Sequence, residues 1–198
     1  VIGADWAKMD DFSVFIALDA RTGRVLDFDR MNRVDYVLQI ERLAAMAQRW
    51  GARAIVPETN AAGEPILELL QRRADLPDII PFTTTAASKP PLIESLAVAL
   101  ERREVAFPDI PELVNELLAY EVRLSGTTNR PIYGAPTGMH DDCVMALALA
   151  LHGAQMLPAS PGLVERMNPA APSRYVRAPD ELGGGRWGRD ERAGHRRR

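Results

Sequence analysis

The run Gly138-Met139-His140-Asp141-Asp142-Cys143-Val144-Met145-Ala146-Leu147-Ala148-Leu149-Ala150-Leu151-His152 limits this chain more than any other stretch. After its two acids it is apolar on almost every side, the pattern of a helix buried all round rather than laid on a surface. Carboxylates are thus carried into the protein. A carboxylate loses several kcal/mol on leaving water unless a cation or several donors meet it, and a metal ion is the obvious partner for adjacent acids. The alternative is that Asp141 and Asp142 merely occupy a first helical turn, where the helix dipole favours negative charge. Whether other buried carboxylates converge on the same place decides between the two.

The chain has 198 residues, 46% of them hydrophobic. That suggests one domain of roughly 150 residues plus something extra, with ample material for a core. No apolar run approaches the ~20 residues of a membrane span and no signal peptide is visible, so a soluble, cytoplasmic chain is expected. The single Cys143 excludes an internal disulfide, fits a reducing compartment and makes a thiolate metal cluster improbable; a small core residue is its simplest role. The sequence opens on Val1 and goes straight into a strand, which suggests a piece of a longer protein.

Charge is uneven. Residues 158–198 hold nine basic and five acidic side chains, leaving 15 basic against 22 acidic in residues 1–157. An acidic globular part argues against a strong electrostatic grip on nucleic acid by this domain alone, because nonspecific affinity comes from basic side chains displacing counterions. If it works on DNA, something else holds the DNA.

Along the chain, Val1 to Ala4 is a short apolar run ending in Asp5. Phe12 to Leu18 is a strand rich in aromatic and β-branched residues, and Val25 to Met31 alternates as a third strand after the turn Arg21-Thr22-Gly23-Arg24. Val34 to Trp50 has helical spacing and ends at Gly51; Ala52 to Val56 is a buried strand reached by a right-handed crossover into a parallel position. Helix is expected for Gly63 to Arg73, strand for Ile79 to Phe82, and helix for Leu92 to Arg103 with Ser88 as its cap and Pro90 and Pro91 in its first turn. Val105 to Pro108 reads as extended, Ile110 to Arg123 as helix, Gly126 to Tyr133 as a loop or hairpin, and the buried helix closes the domain. From Pro158 onward Pro, Gly and Arg dominate, so residues 158–198 are expected to form a disordered tail. The resulting fold class is α/β: a mixed five-stranded sheet, three antiparallel strands then parallel ones, with helices on both faces.

The acids can now be placed. Asp5 ends the first strand, where Asp has poor propensity and little solvent, and Glu58 ends the fourth. Either could be a turn or cap residue. In this order of elements, however, the ends of strands one and four and the mouth of the last helix meet at one edge of the sheet. Three separate turn residues would have to coincide there.

This set of acids resembles the RNase H-like nuclease superfamily. Val1-Ile2-Gly3-Ala4-Asp5 followed by Asp10-Asp11, Val56-Pro57-Glu58-Thr59-Asn60-Ala61-Ala62-Gly63, Thr85-Ala86-Ala87-Ser88-Lys89 and His140-Asp141-Asp142-Cys143-Val144-Met145-Ala146-Leu147-Ala148 narrow it. They are similar to the nuclease domain of the large terminase subunit of tailed bacteriophages, over nearly all of residues 1–157. The resemblance implies an RNase H-like nuclease domain over 1–157 in which Asp5, Glu58 and Asp142 are catalytic carboxylates and metal ligands. Asp141 is implied as a further ligand, His140 as support and Asp11 as an accessory acid. It also implies a double-stranded DNA substrate, cut from concatemers during genome packaging in the host cytoplasm, and three partners: the terminase ATPase domain of the same full-length protein, the portal protein and the small terminase subunit. No Gly-x-x-x-x-Gly-Lys-Ser/Thr phosphate loop occurs, so the ATPase motor is not in this chain.

Ligands that are all oxygen select hard cations such as Mg²⁺ or Mn²⁺. Two such ions about 4 Å apart can clamp an in-line displacement, with Asp5 best placed to bridge them. Lys89, one of two lysines, resembles the family's lysine near a helix start and is either a phosphate contact or a solvated cap residue. His140 would orient Asp142 or assist proton transfer. Arg123 and Arg130 flank a loop near the site and are candidates for the DNA backbone, as is the Arg196-Arg197-Arg198 ending. A RuvC-like resolvase or DEDD-type transposase would share the acids but should bring its own basic surface. A noncatalytic module of the fold would have lost an acid, and an actin-like kinase needs phosphate-binding glycine turns that are missing here.

Overall fold

The computed structural model describes residues 1–7, 11–60, 63–125 and 131–157. The tail expected over 158–198 lies outside the described residues, as does Arg130.

Strands β1 (Ile2–Asp5), β2 (Ser13–Asp19) and β3 (Arg24–Met31) form an antiparallel meander in which Asp5 stands opposite Val14 and Ser13 opposite Met31. Helix α1 (Tyr36–Trp50) then crosses to β4 (Ala54–Pro57), which pairs parallel to β1 with Ala4 opposite Pro57. Both ends of α1 are set by sequence. The Asp35 carboxylate accepts the Val37 N–H at 2.8 Å, and Gly51 takes the left-handed conformation (φ 56°) that stops the helix. Helix α2 (Gly63–Gln71) leads to β5 (Asp78–Ile79), parallel to β4, which completes the sheet order β3-β2-β1-β4-β5. Helices α3 (Lys89–Glu101) and α4 (Pro111–Ala119), the ribbon β6 (Glu121–Leu124) and β7 (Pro131–Gly134), and α5 (Asp142–Met156) follow. No helix among the described residues is long and apolar enough to cross a membrane.

Strand alternation splits the core into two layers. Ile2, Ala4, Phe15, Ala17 and Ile55 pack with Ile40 and Leu43 of α1 and Ile66 and Leu70 of α2. Val14, Ile16, Leu18 and Val56 pack on the opposite side with α3, α4 and Cys143 to Leu151 of α5. Gly3 faces α5: a Cβ there would lie 2.0 Å from the Ala146 carbonyl oxygen and 2.4 Å from the Ala150 nitrogen, so strand and helix meet backbone to backbone. Gly153 makes room for a side chain of β4 instead, since a Cβ there would lie 2.5 Å from Val56 Cγ2. Asp142, Ala146, Ala150 and Gly153 follow one another at helical spacing down this contact. Asp5, two residues from Gly3, shares its face of β1. The strand end and the helix mouth are thereby brought together.

Three expectations are corrected. The helix expected to reach Arg123 stops at Ala119, because Tyr120 is extended (φ −63°, ψ 129°) and Glu121–Leu124 finds ladder partners in Pro131–Gly134. The strand expected over Ile79 to Phe82 is regular only at Asp78–Ile79; Pro81 has no N–H to give, and pairing resumes in a single bridge between Glu58 and Phe82. Ser88 does not cap α3 with its side chain: its hydroxyl donates to the Thr83 carbonyl at 2.7 Å, while Thr85 Oγ1 accepts the Ser88 N–H at 3.0 Å.

Candidate active site

At the C-terminal ends of β1 and β4 a cleft of about 330 Å³ is lined by Asp5, Asp11, Glu58, Asn60, Thr84, Lys89, Asp141, Asp142 and neighbouring Trp6, Ala7 and Met145. Five carboxylates face one ammonium. Asp5 is delivered by the last position of β1, and its burial is imposed by the sheet on both sides. Glu58 is held by backbone: its N–H donates to the Ala4 carbonyl, and the Thr59 N–H to that of Phe82, each at 2.9 Å. Its side chain is steadied by Asn60 Nδ2, 2.7 Å from Glu58 Oε1.

Burial, then the charge and hydrogen-bonded carboxyl of Glu58, then the charges of Asp142 and Asp141, hold the Asp5 carboxyl well above its ordinary range. No salt bridge to Asp5 occurs among the described residues. Asp142 opens α5 and is pushed up to about 7, mainly by burial and then by Asp11 and Glu116, against the opposing Phe12 N–H and His140. These acids are short of positive charge, which is the condition a divalent cation relieves.

The neighbouring Asp141 occupies the N-cap position but makes no side-chain cap. Its Oδ2 instead accepts Lys89 Nζ at 2.9 Å, across 52 residues of sequence. The first-turn explanation therefore does not account for Asp141. His140 Nδ1 lies 2.9 Å from Asp11 Oδ1 and 3.7 Å from Asp142 Oδ2, and the ligand atoms of these three residues lie within 4.8 Å of one another, close enough to share a cation. Asp11 is thus closer to the chemistry than a loop acid needs to be.

The family model of the terminase RNaseH-like domain matches residues 2–153. The chain belongs to that family. It is 34% identical over 149 residues to the large terminase subunit of Thermus virus P23-45, covering 75% of this chain and 30% of that relative. It thus spans about 30% of the length of the curated relatives it matches. The large terminase nuclease of the thermophilic phage G20c with bound magnesium superposes with a TM-score of 0.71 at 32% identity, over 76% of this chain and 79% of that one. The same nuclease with bound cobalt gives 0.70 at 32% identity, with the same coverages. Membership sets aside the resolvase, transposase and kinase alternatives.

Of the residues expected from sequence to serve a terminase nuclease site, Asp5, Glu58, Asp141, Asp142, Asp11 and Lys89 all line the cleft, with His140 in contact behind it. Arg123 does not; it sits on the exposed ribbon, 3.1 Å from Glu121. Sequence reasoning missed Glu116, a buried acid on α4 whose Oε2 accepts the Cys143 N–H at 2.7 Å. Its signal was available, because Glu116 falls three residues after Leu113 and one before Leu117, on the apolar side of its helix.

Proposed function

We propose that this chain is the nuclease part of a phage large terminase subunit, a divalent-metal-dependent endodeoxyribonuclease that cuts concatemeric double-stranded DNA during genome packaging. The convergence of Asp5, Glu58 and Asp142 from three distant parts of the sequence into one cleft carries this reading. An all-carboxylate donor set with a charge deficit fits Mg²⁺ or Mn²⁺, and a 32%-identical terminase nuclease has been found with bound magnesium.

When bound, two such cations supply a Lewis-acidic clamp on the attacking water and the leaving 3′ oxygen. Asp5 would be their shared ligand, Glu58 would complete one set of donors, and Asp142 with Asp141 the other. His140, braced by Asp11, keeps the Asp142 carboxylate turned into the cleft, while Asn60 does the same for Glu58. Lys89 stands at the rim as a phosphate contact. Arg123 and Arg130 are assigned to the DNA backbone. The acidic charge of residues 1–157 fits a domain whose DNA is held elsewhere, by an ATPase domain of the same full-length protein working with a portal and a small terminase subunit in the host cytoplasm.

Plasmid digestion in Mn²⁺ tests the reading. Supercoiled DNA should be nicked and linearised by the parent, Asp5→Ala and Asp142→Ala should lose this, and the products should be resealed by a DNA ligase, as 3′-hydroxyl and 5′-phosphate ends require. Parental cutting by either variant overturns the assignment.

A further inference from the structure

Glu116 is an acid in the wrong place for a surface helix. It is 6% exposed and is packed beneath α5 rather than turned to water. A carboxylate in such a position costs several kcal/mol unless its partners compensate, so the partners indicate its purpose. The first is the Cys143 N–H, 2.7 Å from Oε2. Early N–H groups of a helix have no partner within it, and the side chain at the N-cap of α5, Asp141, is committed to Lys89 instead. Glu116 therefore supplies from another helix the acceptor that Asp141 does not, at the peptide group next to Asp142.

The second partner is Arg30 on β3, whose Nη2 lies 3.6 Å from Glu116 Oε1. Its guanidinium lies over the Phe12 ring, Cζ 3.3 Å from the centroid. Phe12 in turn touches the site twice. Its N–H donates to Asp142 Oδ2 at 3.4 Å, and its ring meets the His140 imidazole edge-on at 5.2 Å. One ion pair, buried at its Glu116 end and half-buried at Arg30, thus reaches Asp142 by two routes, through the backbone behind it and through the two groups that touch its carboxylate.

We propose that Glu116, seated on Arg30, is a positioning residue that fixes the Asp142 carboxylate for cation binding by accepting the Cys143 N–H while Arg30 braces Phe12. The proposal rests on the metal-dependent reading above, whose cleft it deepens. It assigns Glu116 no contact with metal or DNA. Outer partners of this kind typically change metal affinity or activity 10- to 100-fold when lost.

The test is calorimetric titration of the chain with Mn²⁺, alongside its thermal unfolding. Glu116→Ala should weaken Mn²⁺ binding about 10-fold or more. Glu116→Gln, which keeps an acceptor for the Cys143 N–H, should restore most of that loss. A helix cap serving stability alone would lower the melting temperature and leave the affinity of the folded protein at the parental value, and that result overturns the proposal; so does a Gln variant that binds as weakly as Ala. Should Glu116→Ala fail to fold, Arg30→Met carries the test, with several-fold weaker binding expected and parental affinity overturning it. Asp142→Ala separates the two layers of argument. If it binds Mn²⁺ like the parent, the metal reading itself fails. If it loses Mn²⁺ while Glu116→Ala keeps it, only the positioning role falls.

Discussion

Gly3 and Ala146 meet without a side chain between them: the Ala146 carbonyl oxygen occupies the space where a Cβ on residue 3 would stand, 2.0 Å from its centre. That contact sets how deeply α5 lies on β1, and hence how near Asp142 comes to Asp5. Gly3→Ala must push strand and helix apart. Overpacking against rigid backbone should cost about 3 kcal/mol, the upper end of the usual range, read as a lower midpoint in urea denaturation. Plasmid cutting should fall further than the loss of folded protein explains. An unchanged midpoint would show that the layers can slide apart freely and that the glycine is not what places the acids.

Metal should stabilise the fold, not only activate it. The cleft gathers five carboxylates around one lysine, and a cation that binds only this folded arrangement shifts unfolding by mass action. At a hundredfold excess over its dissociation constant, Mn²⁺ should add about 2.7 kcal/mol, removable with a chelator. Thermal unfolding with and without Mn²⁺ measures it. Asp5→Ala should show a much smaller shift; a full shift in that variant would place the ion elsewhere.

Most of the architecture was legible because it rests on local patterns. An aromatic and β-branched run marks β2, alternation marks β3, helical spacing from Val34 to Trp50 marks α1, and the unbroken apolar run marks α5. Parallel placement of β4 beside β1 followed from the intervening helix, and with it the meeting of Asp5 and Glu58. What was not legible depends on partners far away in sequence. Glu121–Leu124 becomes a strand only because Pro131–Gly134 runs beside it, and nothing local forbids continuing α4 through it. Asp141 reads locally as a first-turn acid, yet turns to Lys89, 52 residues earlier. Glu116 is legible as an acid on an apolar helix face, but its purpose is not, because its partners, Cys143 and Arg30, lie on two other elements.

Lys89 holds Asp141 in a half-buried ion pair at 2.9 Å, with side chains 23% and 29% exposed. Any cation drawn to Asp141 competes with that ammonium. Lys89→Met should therefore bind Mn²⁺ more tightly in calorimetry, while losing about 1 kcal/mol or less of metal-free stability because a partly solvated pair contributes little. Cleavage should nevertheless fall, since the phosphate contact assigned to Lys89 goes with it. Opposite movement of affinity and rate is the signature; a variant that binds more tightly and also cuts as fast would confine Lys89 to restraining Asp141.

The Asp142 carboxyl, pushed up to about 7 from an ordinary 3.8, makes stability and metal binding run in opposite directions with pH. Between those two values the folded chain keeps a proton on Asp142 that the unfolded chain gives up. Because the folded state binds the extra proton, this group's contribution is fully present below about pH 4 and is lost as pH rises through about 7. Asn at the same position is never charged and has no such loss. Without metal, Asp142→Asn should melt close to the parent at pH 4 and above it at pH 8, the gap opening between about pH 4 and pH 7. Mn²⁺ reverses the preference, because a ligating carboxylate must be deprotonated: parental affinity should climb toward pH 8, and the Asn variant should gain little from the metal at any pH. Parallel melting curves for the two proteins from pH 5 to 8 without metal would mean that Asp142 titrates as an ordinary surface acid, and the charge deficit argued for the cleft would then be absent.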